Sequence, residues 1–224
     1  MSEFTAIGGD LLGAIAGLGA GASWALGSIL FRRLADSSSA LGLNLAKGLL
    51  GLVYLGIALL FTGVSSMDTT STLFLIASGI IGIALGDTLF FMALVRLEPR
   101  KTVLLATVGQ ALTVFLALVV LAERPTPWAW VGMVAIIAGV TWVMLEQSDT
   151  PGNAPDQRWG IAYGLGAALC MSVGIILAKK GVAGCSALQA TAIRLAGGMA
   201  VLLIIGIARR EVIAWLRPFA QARQ

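Results

Sequence analysis

The chain has 224 residues, 58% of them hydrophobic and 12% charged, with 15 Lys and Arg against 11 Asp and Glu and a formal charge of +4. Soluble domains carry about 25% charged residues, so a water-facing globular fold is excluded. The basic excess sits mostly at the ends of apolar runs, as flanks of membrane segments do, and is no nucleic-acid footprint. There is no histidine, and the two cysteines, Cys170 and Cys185, imply no disulfide framework.

A bilayer core of about 30 Å needs about 20 apolar residues per helix. Seven runs qualify, at roughly 11–31, 40–62, 72–95, 102–122, 128–145, 160–178 and 187–208. The ten residues before the first run contain no Lys or Arg, so that run reads as a retained helix and not as a signal peptide. Most connections are short and carry turn or charge signals, as at 36–39, 65–70, 98–101 and 124–127. Trp128, Trp130, Trp142 and Trp159 lie near run ends, where interfacial anchors are expected. The longest connection, 146–159, holds Pro151, Gly152, Asn153 and Pro155. The basic stretch 209–224, with Trp215, Leu216 and Phe219 between charges, reads as a loop or as a helix on the membrane surface, the loop being favoured.

The chain also repeats. Shifted by 147 positions, residues 13–57 fall on 160–204 without a gap. Gly13 matches Gly160, Gly17 matches Gly164, Gly27 matches Gly174 and Gly51 matches Gly198, while Arg32-Arg33 falls on Lys179-Lys180 and Lys47 on Arg194. The expected fold is an all-α integral membrane protein of seven transmembrane helices. Residues 1–146 form one complete five-helix repeat, 147–159 a linker, and 160–224 the first two helices of a second repeat. Five is odd, so the second copy enters from the opposite side and is inverted, as in many secondary transporters. The same offset places the end of a full second copy near residue 292, from 145 + 147. By the positive-inside rule the N-terminus lies outside, because Arg32, Arg33, Arg96, Arg100, Lys101 and Arg158 share the other side.

Three charged residues fall within apolar runs and away from their ends: Lys47, Asp87 and Arg194. Charge in lipid is costly, so such residues face a bundle interior, a partner or water. At 1.5 Å per residue, Lys47, Asp87, Gln110 and the Ser23-Trp24 step share one layer, about 10–13 Å from one membrane face. This layer predicts a solute-binding cavity lined by Trp24, Lys47, Asp87 and Gln110, with Asp87 taking a proton or a cationic group and Lys47 a carboxylate. The alternative is a Lys47–Asp87 pair that neutralises itself and fixes packing. Arg194 repeats Lys47 and reads as a fold position. Glycines at 13, 17 and 21, at 160 and 164, and at 79, 82 and 86 read as close-packing faces, and the Gly86-Asp87-Thr88 step as a weak signal of a broken helix. No nucleotide-binding glycine loop, metal cluster or nucleophile elbow is present, so no enzyme, cofactor or metal is expected.

The residues from Gly86-Asp87-Thr88-Leu89-Phe90-Phe91 through 102–122, Glu123-Arg124 and the Gly-rich 132–140 resemble the EamA-type domain of the drug/metabolite transporter superfamily. The resemblance implies ten helices in two inverted five-helix copies, ATP-independent movement of small metabolites such as amino acids or related compounds, and both termini in the cytoplasm. By position, Glu123 matches the family's Glu after the fourth helix, and Lys47 and Arg194 match basic positions of the second helix in each copy. Gln110 stands where the family usually has proline. The expected function is therefore alternating-access transport, export favoured, in the cytoplasmic membrane, with the bilayer and a small-molecule substrate as partners. The alternative is a truncated, non-transporting membrane protein, or a subunit completed by a partner chain such as a second copy in a homodimer.

Overall fold

A computed structural model of the protein describes residues 2–35, 38–145 and 154–221. Every regular element among them is helical: α1 (Ser2–Ala35), α2 (Ala40–Thr62), α3 (Thr69–Ser78), a π-helical segment (Gly79–Asp87), α4 (Thr88–Arg96), α5 (Pro99–Leu121), α6 (Pro127–Leu145), α7 (Ala154–Gly181), α8 (Ala187–Arg209) and α9 (Val212–Gln221). With α3, the π segment and α4 taken as one helix, seven helices are long and apolar enough to cross a membrane. The protein is an all-α membrane protein.

Local chemistry sets the boundaries. The Ser39 hydroxyl accepts a hydrogen bond from the Gly42 N–H at 3.1 Å, and Ser186 accepts from Gln189 N–H at 3.2 Å, each occupying one of the donors left open at a helix start. Asp68 caps α3 by accepting from the Ser71 N–H at 3.0 Å. Pro99 opens α5, where its missing N–H costs nothing. α2 stops at Gly63, whose φ of 76° suits glycine, but α5 and α8 stop at Ala122 (φ 53°) and Arg210 (φ 56°), where the left-handed turn works against a Cβ.

The centre of the bundle is where α3 and the π segment meet α7 and α8. Glycine makes that approach possible: a Cβ on Gly79 would lie 1.8 Å from the Arg194 carbonyl oxygen, and one on Gly174 would lie 2.8 Å from Gly82 Cα. The Ser78 hydroxyl donates to the Gly174 carbonyl at 2.6 Å, bonding the two helices at the same level. A second core forms from Leu43, Phe90, Phe91, Leu94 and Ala167. Charged side chains tie helix ends together. Arg32 donates to the Leu94 carbonyl at 2.7 Å, at the C-terminal end of α4, and Lys179, its counterpart in the repeat, pairs with Glu123 at 2.6 Å.

Three expectations are corrected. Of the expected linker, residues 147–153 lie outside the described residues, while 154–159 form the first turns of α7, with Pro155 at a position that needs no donor. The stretch favoured as a loop after 209 instead forms α9. Its Val212 and Trp215 fold back on Gly206, and Trp215 is buried against α2 and α8, its indole N–H donating to Glu211 at 3.1 Å. The Gly86-Asp87-Thr88 step does not break the helix, because the chain winds through it in π register.

Candidate functional site

A π segment inside an α-helical run offsets the carbonyl ladder, and such segments recur at functional sites. Here the offset groups are answered from α2. Asn44, fully buried, donates its amide to the carbonyls of Ile83 (2.9 Å) and Ala84 (3.2 Å) and to the Thr88 hydroxyl (3.0 Å). Thr88 in turn donates back to Ala84. Two carbonyl acceptors fix which end of the Asn44 amide is the donor, leaving its Oδ1 buried without a partner.

Three residues along α2 from Asn44, Lys47 forms an ion pair with Asp87, the last residue of the π segment. The pair is not sealed: the Lys47 side chain is 24% exposed and that of Asp87 11%. The Lys47 ammonium also lies 5.5 Å from the centre of the Phe91 ring, within cation–π range. Aromatic contacts continue from there. Phe91 meets Phe90 edge-on at 5.8 Å, and Phe90 meets Trp24 at 5.3 Å. Trp24 thus joins the Lys47–Asp87 pair through two phenylalanines, with its own face partly exposed. Gln110 is not brought to this group; it lies exposed on α5.

Sequence reasoning missed two residues. Asn44 was visible as a lone amide inside an apolar run, and only the π register explains its use. Arg194 was read as architectural through its match to Lys47. Its backbone does press on Gly79, but its guanidinium reaches along the π segment, with Nη2 3.8 Å from where a Gly82 Cβ would stand, and interacts electrostatically with Asp87. Its Nε is buried without a hydrogen-bond partner.

A separate cleft of about 560 Å³ lies between α1, α5 and α6. Apart from Ser28 and Arg100, the side chains that line it are apolar, among them Ile29, Val103, Leu104 and Val143. It holds none of the predicted site residues and offers little to orient a polar solute.

Residues 11–145 match the model of the EamA-like transporter family. The chain belongs to that family. No curated protein and no solved structure showed significant similarity to it. The match runs over α1 to α6 and so includes Trp24, Lys47, Asp87 and Gln110, while Arg194 lies beyond it. Membership makes this EamA-like chain a membrane transporter of the drug/metabolite transporter superfamily.

Proposed function

We propose that the protein moves small polar metabolites, amino acids or related compounds among them, out across the cytoplasmic membrane by alternating access and without ATP. The single observation that carries this reading is the Lys47–Asp87 ion pair, set within the spans yet partly exposed. A pair serving packing alone gains from full burial and complete hydrogen bonding; this one leaves both charges reachable and lies at the end of an aromatic path from Trp24. In this reading Lys47 and Asp87 hold the polar groups of the solute, and Trp24 with Phe90 forms its apolar wall. Reconstituted vesicles test it. Asp87→Asn, inserted and folded in normal yield, is expected to lose solute flux, and normal flux in that variant would sink the reading.

A second reading, in which the transporter is completed by another copy of the chain, is favoured by α1. A Cβ on Gly13, Gly17, Gly19 or Gly21 would meet nothing within 4 Å, so the stretch of α1 through these glycines lies bare. The mass of the detergent-solubilised particle decides between one copy and two.

A further inference from the structure

Asn44 brackets Asp87. On one side it donates to the carbonyls of Ile83 (2.9 Å) and Ala84 (3.2 Å), one turn earlier, and on the other to the hydroxyl of Thr88 (3.0 Å), the next residue. The backbone makes room for these bonds. The Thr88 N–H bonds to the Leu85 carbonyl, three residues back, whereas in an α-helix it would bond to that of Ala84, four back. The Ala84 carbonyl takes the Asn44 amide and the Thr88 hydroxyl in place of that donor. Asn44 and Lys47 stand three apart on α2 and so share one of its faces. That face grips the π segment twice, with Asn44 on its carbonyls and Lys47 on the Asp87 carboxylate.

The two grips are linked through the winding. A π turn closes through i→i+5 bonds and so carries one residue more than an α turn. Relaxation of the segment to α winding would turn the residues at its end by about one position, on the order of 100°. Asp87 is the last residue of the segment, and a turn of that size takes its carboxylate away from the face of α2 that holds Lys47. Asn44 is fully buried, so it lies out of reach of a solute. Its Oδ1 has no partner, a cost that an apolar side chain would avoid, so the use of an amide here lies in what it donates. We infer that Asn44 is a positioning residue: it holds the π register and thereby sets the rotation at which Asp87 meets Lys47. Its bearing on transport rests on the reading above, in which Lys47 and Asp87 hold the solute; its bearing on the ion pair does not.

Zero-length crosslinking of the purified full chain in detergent with a hydrophobic carbodiimide tests this without relying on flux. The reagent activates a carboxyl, and an amine touching that carboxyl displaces the urea and forms an amide, so Lys47 and Asp87 are joined where they meet. Peptide mass spectrometry reads the joined fraction. The parent is expected to give the Lys47–Asp87 crosslink and Asn44→Leu to lose most of it. Asn44→Gln, which keeps the donor on a longer arm, is expected to retain part. Leu105→Ala opens a cavity on α5 beside Gly164; it is expected to lower Tm and keep the crosslink, which separates lost register from general loosening. Should Asn44→Leu not fold, Asn44→Ser carries the test, because a serine hydroxyl inside a helix bonds back to its own backbone. No crosslink in the parent, an undiminished crosslink in the Leu or Ser variant, or an equal loss in Leu105→Ala overturns the inference. Uptake of a labelled amino-acid mixture by reconstituted vesicles is read separately. Crosslink lost with uptake intact in Asn44→Leu would uphold the positioning role and refute Lys47–Asp87 as the solute site, whereas crosslink kept with uptake lost would overturn the positioning role and leave the transport reading standing.

Discussion

Replacing Gly79 by alanine puts a methyl carbon 1.8 Å from the Arg194 carbonyl oxygen, where ordinary contact begins at 3.4 Å. Both sides of the clash are backbone, so no side chain can turn away. α8 must retreat from the π segment by about 1.5 Å, at an overpacking cost of about 1–3 kcal/mol or more. The retreat also strains the adjoining face of α8, which packs on α2 with Met199 against Gly48 and Leu195 against Gly51. Alanine regains about 1 kcal/mol of helix propensity, too little to offset the clash. Gly17 is the control, because its added methyl meets nothing within 4 Å and only the propensity gain remains. The propensity gain is common to both, so the two variants should differ by the clash alone, about 1–3 kcal/mol, or on the order of 5 °C in Tm for a chain of this size. Thermal unfolding in one detergent, with the parent alongside, measures the gap. Equal Tm values for Gly79→Ala and Gly17→Ala would refute the claim that the α8 contact depends on a missing Cβ.

Asn44→Leu strips the offset carbonyls of Ile83 and Ala84 of their side-chain donor. At about 1–3 kcal/mol for each buried group left unpaired, it should lower Tm clearly and speed amide exchange over 79–88, and unchanged exchange there would count against a capped π segment. Ala122→Gly relieves a left-handed residue at φ 53° and should raise stability by up to about 1 kcal/mol in the same unfolding assay. Asp68 lies outside the spans, and hydrogen bonds from the Ser71 side chain and N–H hold its carboxyl below the ordinary value of 3.8. A folded pKa below the unfolded one means that its stabilisation is complete above about pH 4 and is lost as pH falls through the folded value. Asp68→Asn should thus be less stable than the parent at neutral pH and converge with it in acid, and a deficit independent of pH would contradict this.

Much of the architecture was legible because lipid imposes it. Length and hydropathy alone mark the seven spans, since each must cover the same hydrocarbon thickness. Lys47 and Asp87 could be singled out because charge inside a span is rare, and their meeting follows from the need of each for a partner. The glycines at 79, 82 and 86 announced a close face, and α7 and α8 use it. Hydrogen-bond register was not legible. Hydrophobic pattern distinguishes helix from strand, but α from π winding is decided by tertiary partners such as Asn44, which reward the offset carbonyls. The same holds for Gln110, placed in the right layer by depth but left outside the group because depth says nothing about which way a helix is rotated. α9 was undervalued because its ten residues are too short to span a bilayer. Trp215, with Val212 beside it, fills the notch that Gly42 and Gly206 leave open.

The repeat equates sequences, not surroundings. Gly160 and Gly164 on α7 are met at 2.7 Å by Leu97 and Leu105, and Gly174 and Gly181 by the backbones of Gly82 and Ser71. Gly13 and Gly17, their counterparts on α1, meet nothing, and Gly27, the counterpart of Gly174, meets only the ring of Phe31 at 3.6 Å. In lipid no hydrophobic force draws two apolar helices together, so small residues permit close approach without compelling it. What compels it in α7 is polar: Ser78 donates to the Gly174 carbonyl, and Ser172 donates to the Gly109 carbonyl at 2.7 Å. The counterpart of Ser172, by 172 − 147, is Ala25, which has no hydroxyl to give. Gly160, Gly164 and Gly174 recur in both copies, whereas Gly181 falls on Leu34, so the difference between the packed and the bare copy of this helix rests less on the shared glycines than on hydroxyl groups and partner helices, which are not shared.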